Sequence, residues 1–334
     1  MKEVKQIMDD VQKGTIKPIY FLCGEEPYFI DQLTDFLEEN LLPEADRSFN
    51  QMVLYGRDVS MNEIISNAKR FPMMADRQVI LIREAQDITK DFDLLATYLD
   101  NLQPTTVLVF AYKYKTLDKR KAVYKKLQTL GVFLESKKLY ENQIGSFINE
   151  NLLHSGYAID PKATAMLVSF LGTDLSRIVN ELNKLKIIVP KTTKITDVVI
   201  EQNIGISKDY NFFEFQKAIA LKDQLKAFQI AQHFAQNQKE NPLVLTVTML
   251  FKYFSNLMIA HATPNPNNAN LQKVLRVNYF AAEDLVNGVK NFQMRKVSAI
   301  IETIRTVDLK SKGVNSNNLS AGDLLKEMLV QIFN

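Results

Sequence analysis

Two hydrophobic periodicities share this chain, and they are not evenly mixed. Up to about residue 140, short continuous apolar runs alternate with helical patterns. The runs are 18–23, bounded by Pro18 and Gly24; 52–55, closed by Gly56; then 79–82, 107–110 and 132–134. A continuous apolar run of this length reads as a strand covered on both faces. Between the runs, Phe29, Leu33, Phe36, Leu37 and Leu41 recur at helical spacing over 28–42. A second helix spans 59–69, with Ser60 as its cap and Glu63 completing a capping box. Further helical patterns cover 94–102 and 119–130. Strand and helix in alternation predict a parallel sheet with helices on both faces.

After residue 140 the strand signals stop. Helices are predicted over 141–154, 161–171 and 174–185, with Gly156 and Gly172 at the joints, and a short one starts near Ile195. From Asn211 the pattern is helical to the end. Val247, Leu250, Phe251, Phe254, Leu257 and Met258 form one apolar face. Val297, Ile300, Ile301, Ile304 and Val307 form a second, and Leu324, Leu325, Met328, Leu329 and Ile332 a third. Residues 264–270 read as a flexible loop. The expected layout is an α/β domain over 1–140, a small helical lid over 141–208 and a larger helical domain over 209–334. No internal repeat or low-complexity tract interrupts it.

Charge narrows the function classes. The 41 basic and 38 acidic residues leave a net charge of +3, too balanced for a dedicated nucleic-acid binder. One local basic run, Lys113, Lys115, Lys119, Arg120 and Lys121, is either a solvated face or a set of contacts to DNA phosphates. No apolar run approaches the roughly 18 residues that cross a bilayer, and the N-terminal stretch is charged and amphipathic. With a single cysteine, Cys23, the expectation is a cytoplasmic protein without membrane contact. Cys23 falls inside an apolar run and reads as a core residue. His154, His233 and His261 are widely spaced and form no metal-ligand pattern, so neither metal nor cofactor is expected. Arg177 reads as a surface or salt-bridging residue.

The segment 19–31 puts strand, turn and helix where a nucleotide-binding protein carries its phosphate loop. Such a loop needs a second glycine for close backbone approach, a lysine for the phosphates and a hydroxyl for magnesium. Here Gly24 is followed by Glu25, Glu26 and Pro27. Two carboxylates repel a triphosphate, and proline removes a donor. Nor does the run 79–82 end in an acidic pair; it continues Arg83, Glu84, Ala85. Nucleotide hydrolysis at this position is not expected.

The same residues carry a resemblance. Residues 18–30, with the Gly-Glu-Glu-Pro turn, and residues 71–82, Phe-Pro-Met-Met-Ala-Asp-Arg-Gln-Val-Ile-Leu-Ile, resemble the delta subunit of bacterial DNA polymerase III. The segments 117–121, 172–175, 180–185 and 308–313 fit the same family in order, so the likeness spans essentially the whole chain. It implies an ATPase-like (AAA+) domain without a working nucleotide site, a three-helix lid and a C-terminal helical collar. It implies a clamp-loader subunit that binds and opens the beta sliding clamp for loading onto primed DNA without hydrolysing ATP. It further implies assembly through the collar with ATP-binding loader subunits and delta-prime. The family's clamp-binding pair maps onto Met73 and Met74, preceded by Phe71 and Pro72; a leucine–phenylalanine type of pair is more familiar there. The alternative is that Phe71, Met73 and Met74 pack beneath the end of a helix. Two other function classes stay open at this point. An active ATPase with a degenerate loop predicts ATP binding, and a stand-alone DNA-binding protein predicts strong, salt-dependent affinity for primed DNA.

Overall fold

The computed structural model describes residues 2–88, 92–204, 210–314 and 319–334. They form two compact units, Met1–Lys138 and Leu139–Asn334.

In the first unit the apolar runs become β1 (Ile19–Gly24), β2 (Gln51–Tyr55), β3 (Gln78–Arg83), β4 (Thr106–Lys113) and β5 (Val132–Ser136). All pairings are parallel, in the order β2-β3-β4-β1-β5. The helices are α1 (Lys2–Gln12), α2 (Pro27–Asn40), α3 (Glu44–Asn50), α4 (Met61–Ala68), α5 (Phe92–Tyr98) and α6 (Ala122–Leu130). One sheet face, with Ile19, Phe21, Ile80, Ile82, Leu108 and Phe110, packs on Ile64, Leu95, Val123 and Leu127 of α4, α5 and α6. The other is covered by α2, which buries Phe29, Ile30, Leu33 and Leu37. Double coverage is why β1, β3 and β4 read as unbroken apolar runs. β2 is the exception. As the edge strand it leaves Met52, Val53 and Tyr55 exposed.

The helix expected over 119–130 begins three residues later, at Ala122. The Asp118 carboxylate accepts the Arg120 backbone N–H at 3.0 Å, and the Lys121 N–H bonds the Asp118 carbonyl, so these residues form a turn. At β1 the strand order reverses, with β4 on one side and β5 on the other. Beyond its carboxyl end lies the crevice where open α/β sheets hold ligands.

The second unit is helical. It contains α7 (Glu141–His154), α8 (Pro161–Leu171), α9 (Leu175–Ile188) and α10 (Asp197–Ile204), with one isolated parallel bridge between Ile159 and Ile195. There follow α11 (Phe212–Ala220), α12 (Gln224–Gln236), α13 (Leu243–Ala262), α14 (Asn268–Leu275), α15 (Tyr279–Asn291), α16 (Met294–Ser311) and α17 (Ala321–Phe333). Phe215, Phe234, Phe254 and Phe292 centre a core to which the three expected apolar faces contribute. Two expectations change here. Phe251 is exposed rather than packed. The loop expected over 264–270 is shorter, because the Asn267 side chain caps α14 by accepting the Asn270 N–H at 2.9 Å. The expectation that no segment is apolar and long enough to cross a membrane is also corrected. The 20 residues of α13 meet that length and composition. In this fold α13 is a core helix, with Val247, Leu250, Tyr253, Phe254, Leu257 and Ala260 buried. The expected boundary at 208–209 lies outside the described residues.

Candidate protein-docking site

The chain between α4 and β3 is an anchored loop with a bare apolar tip. Ser60 and Glu63 start α4 with reciprocal bonds, as their spacing predicts. At the loop's base, Gln78 Nε2 donates to the Arg70 carbonyl at 2.6 Å and to Thr106 Oγ1 at 2.8 Å. Thr106 Oγ1 in turn donates to the Ala68 carbonyl at 2.8 Å. Toward the tip, the Met73 N–H donates to Asn50 Oδ1 at 2.6 Å, and Asn50 Nδ2 donates to the Met73 carbonyl at 3.0 Å. Between these anchors Phe71 is 76%, Met73 63% and Met74 103% exposed. Met74 also holds φ at 51°, a left-handed conformation uncommon for a side chain of its size. The three apolar residues therefore do not pack beneath the helix end. They project from a loop whose backbone is tied down on both sides. Nearby, Phe49 on α3 is 73% exposed. The sequence pointed to Phe71, Met73 and Met74 but not to Asn50, Gln78 or Thr106, whose partners are distant in the chain.

The crevice beyond β1 is closed from within. Only Glu25 and Glu26 separate Gly24, which ends β1, from Pro27, which starts α2. The Gly24 N–H donates to the Lys115 carbonyl at 3.0 Å and the Glu26 N–H to the Ser136 carbonyl at 3.3 Å. Pro27 has no N–H, and the Tyr28 N–H donates to Glu26 Oε1 at 3.1 Å. The N–H donors of Gly24, Glu26 and Tyr28 are thus engaged inside the protein. The Glu26 carboxylate, buried as the cap of α2, sits where a helix N-terminus would receive an anion. Glu25 is exposed. Gly24, at φ +132°, is a glycine because a Cβ there would lie 2.0 Å from the Ser136 carbonyl oxygen.

The neighbouring strand ends carry charge already paired. Lys113 Nζ lies 2.6 Å from Asp31 and 2.5 Å from Glu84. Arg83 pairs with Asp35 at 2.7 Å and with Glu38 at 2.5 Å. Burial disfavours the Lys113 charge, but the two carboxylates outweigh it and raise the ammonium pKa. Burial likewise opposes the Glu84 charge, yet Lys113 and Gln86 hold that carboxyl below its ordinary value. Glu84, just beyond the carboxyl end of β3, is thus neutralised by Lys113.

The basic run is dispersed rather than gathered. Lys113 is an inward ion-pair partner, not part of a solvated face. Lys119 pairs with Glu135 at 3.2 Å and Arg120 with Asp118 at 2.8 Å, while Lys115 and Lys121 are exposed. Cys23 is fully buried, and burial, aided by Glu135, pushes its thiol up to about 12. Arg177 is exposed and lies over the Phe170 ring at 5.3 Å. His261 Nε2 donates to the Phe292 carbonyl at 2.8 Å, at the rim of the helical core. Among the described residues no three His, Cys, Asp or Glu side chains cluster in a way that could hold a metal ion.

Fold and site together define a parallel α/β domain with a closed β1–α2 turn and an exposed apolar tip, followed in sequence by a mostly helical unit. Comparison with known proteins shows what the chain is similar to. Residues 20–137 match the model of the family described as DNA polymerase III, delta subunit. The chain is 22% identical over 340 residues to the DNA polymerase III subunit delta of Bacillus subtilis (strain 168), covering 99% of this chain and 95% of the relative. It is 22% identical over 223 residues to the probable DNA polymerase III subunit delta of Aquifex aeolicus (strain VF5), covering 64% of this chain and 62% of that one. Among solved structures it resembles the DNA clamp loader delta protein of Bacillus subtilis, with a TM-score of 0.63, 20% identity and 99% of each chain covered. That likeness is one of fold.

Proposed function

We propose that this chain is the clamp-gripping delta subunit of a bacterial clamp loader. On this reading it binds the beta sliding clamp through Met73 and Met74, with Phe71 beside them, and favours the opened ring for loading onto primed DNA. The observation that carries the reading is the tip itself. A tied-down loop presents two methionines and a phenylalanine to solvent, and Met74 has its whole side chain exposed. Burying such residues within the chain would be favourable, so leaving them bare marks a surface for a partner. Methionine's flexible, polarisable side chain suits an apolar pocket on that partner. Opening needs no catalytic residue here. A subunit that binds the sprung clamp more tightly than the closed one shifts the ring's equilibrium by that difference.

Other features of the assembly follow. The closed β1–α2 turn supports a subunit that does not hydrolyse ATP and takes no cofactor, leaving ATP to its loader partners. In the proposed division into lid (141–208) and collar (209–334), the collar contacts those ATP-binding subunits and delta-prime. Val244, Phe251 and Ile259, exposed on α13, offer it apolar surface for them. Lys115 and Lys121 are the members of the basic run best placed to reach primed DNA, and the setting is cytoplasmic.

The test is binding of the purified chain to the sliding clamp of its own organism, with Met73→Ala/Met74→Ala alongside. Each methionine buried on binding contributes roughly 1.5–3 kcal/mol, less about 0.5–1.5 kcal/mol for ordering its side chain, so the double variant is expected to bind roughly 10- to 100-fold more weakly. Its melting temperature should be unchanged. Wild-type affinity in the folded variant would move the site elsewhere. Absence of clamp binding by the well-folded wild type would sink the proposal.

A further inference from the structure

We infer that Asn50 is the positioning residue of the docking tip, an inference that rests on the clamp-binding reading. Asn50 ends α3, 23 residues before Met73 in sequence, and only 5% of it is exposed. Its side-chain amide brackets Met73, accepting from the N–H of the Pro72–Met73 peptide and donating to the carbonyl of the Met73–Met74 peptide. A further bond runs from Nδ2 to the Asp46 carbonyl one turn back in α3, at 3.3 Å. Oxygen and nitrogen are thus both committed, and the amide cannot rotate without losing bonds. The carbonyl it holds belongs to the peptide that leads into Met74, the most exposed apolar residue among the described residues and one held at positive φ. An uncommon backbone conformation persists only where its surroundings over-determine it. The Met74 side chain touches too little to do so, which leaves the Asn50 grip on the preceding peptide as the restraint in view. A tip already in its bound shape does not lose that freedom on docking, so Asn50 raises affinity without touching the partner.

The experiment combines amide hydrogen exchange with a double-mutant cycle in the full-length chain. Asn50→Ala is expected to speed exchange of the Met73 amide at least about tenfold and to weaken binding of the sliding clamp about tenfold, as loss of two neutral hydrogen bonds implies. Circular dichroism should stay at wild type, while the thermal midpoint falls by only several degrees. In a Met74→Ala background the same change should weaken binding less than about twofold, because a residue acting through the tip has little left to position. A purely structural residue would cost the same in both backgrounds, and that result overturns the inference. So does an unchanged Met73 exchange rate, or wild-type affinity in Asn50→Ala. Should Asn50→Ala fail to fold, Asn50→Asp replaces it. This change keeps an acceptor for the Met73 N–H but turns a carboxylate on the Met73 carbonyl. Faster exchange and weaker binding support the inference; wild-type values for both refute it. If the wild-type chain itself does not bind the clamp, the functional reading falls, while the Met73 exchange rates still decide whether Asn50 sets the loop.

Discussion

Replacing Gly24 by alanine should cost the first unit about 4 kcal/mol, although the change adds one methyl group. Gly24 pairs with Ser136 at the last step of the β1–β5 ladder, at φ +132°, which side chains other than glycine's rarely adopt. The new Cβ would stand 2.0 Å from the Ser136 oxygen and 2.6 Å from its nitrogen, both backbone atoms that cannot swing away. The strands must separate there by roughly an ångström to restore an ordinary contact. Two bonds then weaken together: the Glu26 N–H to the Ser136 carbonyl, and Ser136 Oγ to the Glu26 carbonyl at 2.9 Å. Backbone strain contributes about 1–3 kcal/mol and each bond about 0.5–1.5 kcal/mol. For a unit of this size the total corresponds to a melting transition lowered by roughly 10–15 °C. Gly172→Ala is the control, with φ at +66° and nothing within 4 Å of its Cβ. It carries the conformational cost alone, about 1–3 kcal/mol. Differential scanning calorimetry of both variants measures the contrast. A loss below about 1 kcal/mol for Gly24→Ala, or equal losses for the two, would show that the close approach to Ser136 does not decide this residue.

Three further outcomes are expected. Asp284 is buried in α15, and burial pushes its carboxyl up to about 7 against the opposing Gln216 bond and Lys217 charge, with Glu283 and Glu214 adding to the rise. Its folded pKa lies above the unfolded one, so the folded chain holds the proton more tightly and stability falls as pH rises from about 4 to about 7. Asp284→Asn should remove that slope in urea titrations at several pH values; an unchanged slope would assign it to other groups. Lys113→Met leaves Asp31 and Glu84 facing each other without their shared cation, and because both carboxylates are partly solvated the expected loss is only about 1–2 kcal/mol by chemical denaturation. A stabilised variant would contradict the pairing. ATP with magnesium at about 1 mM should leave the melting temperature unchanged, since a ligand at a hundred times its Kd would add about 2.7 kcal/mol. A clear upward shift would mean that the β1–α2 turn opens.

Much of the first unit was legible because its signals are local. A run such as Ile19–Cys23 states that a strand is covered on both faces without saying by what. The Ser60–Glu63 spacing names a helix start within four residues. The missing second glycine and lysine after Gly24 are read from the chain directly. Misreadings arose where a local pattern met a competing side-chain bond. Asp118 turned the start of α6 into a turn, and Asn267 began α14 inside an expected loop. Phe251 fits its helical face by spacing, yet the neighbouring helices reach only part of that face.

The candidate site divides the same way. That Phe71, Met73 and Met74 form an apolar cluster after a helix is a property of the sequence. That they stand bare required the loop to be tied back by Gln78, Thr106 and Asn50, residues 4 to 35 positions away from those apolar residues. The basic run reads as one feature in the chain, but the sheet turned Lys113 inward to Asp31 and Glu84 while leaving Lys115 and Lys121 in water. Strand and helix periods, caps and missing motif residues are set by neighbours a few positions apart, so the sequence alone determines them. Which strand lies at the edge, which carboxylates meet Lys113 and which amide grips Met73 depend on the order β2-β3-β4-β1-β5. That order follows from the packing of the whole sheet, because no short stretch of chain contains both partners of such a contact.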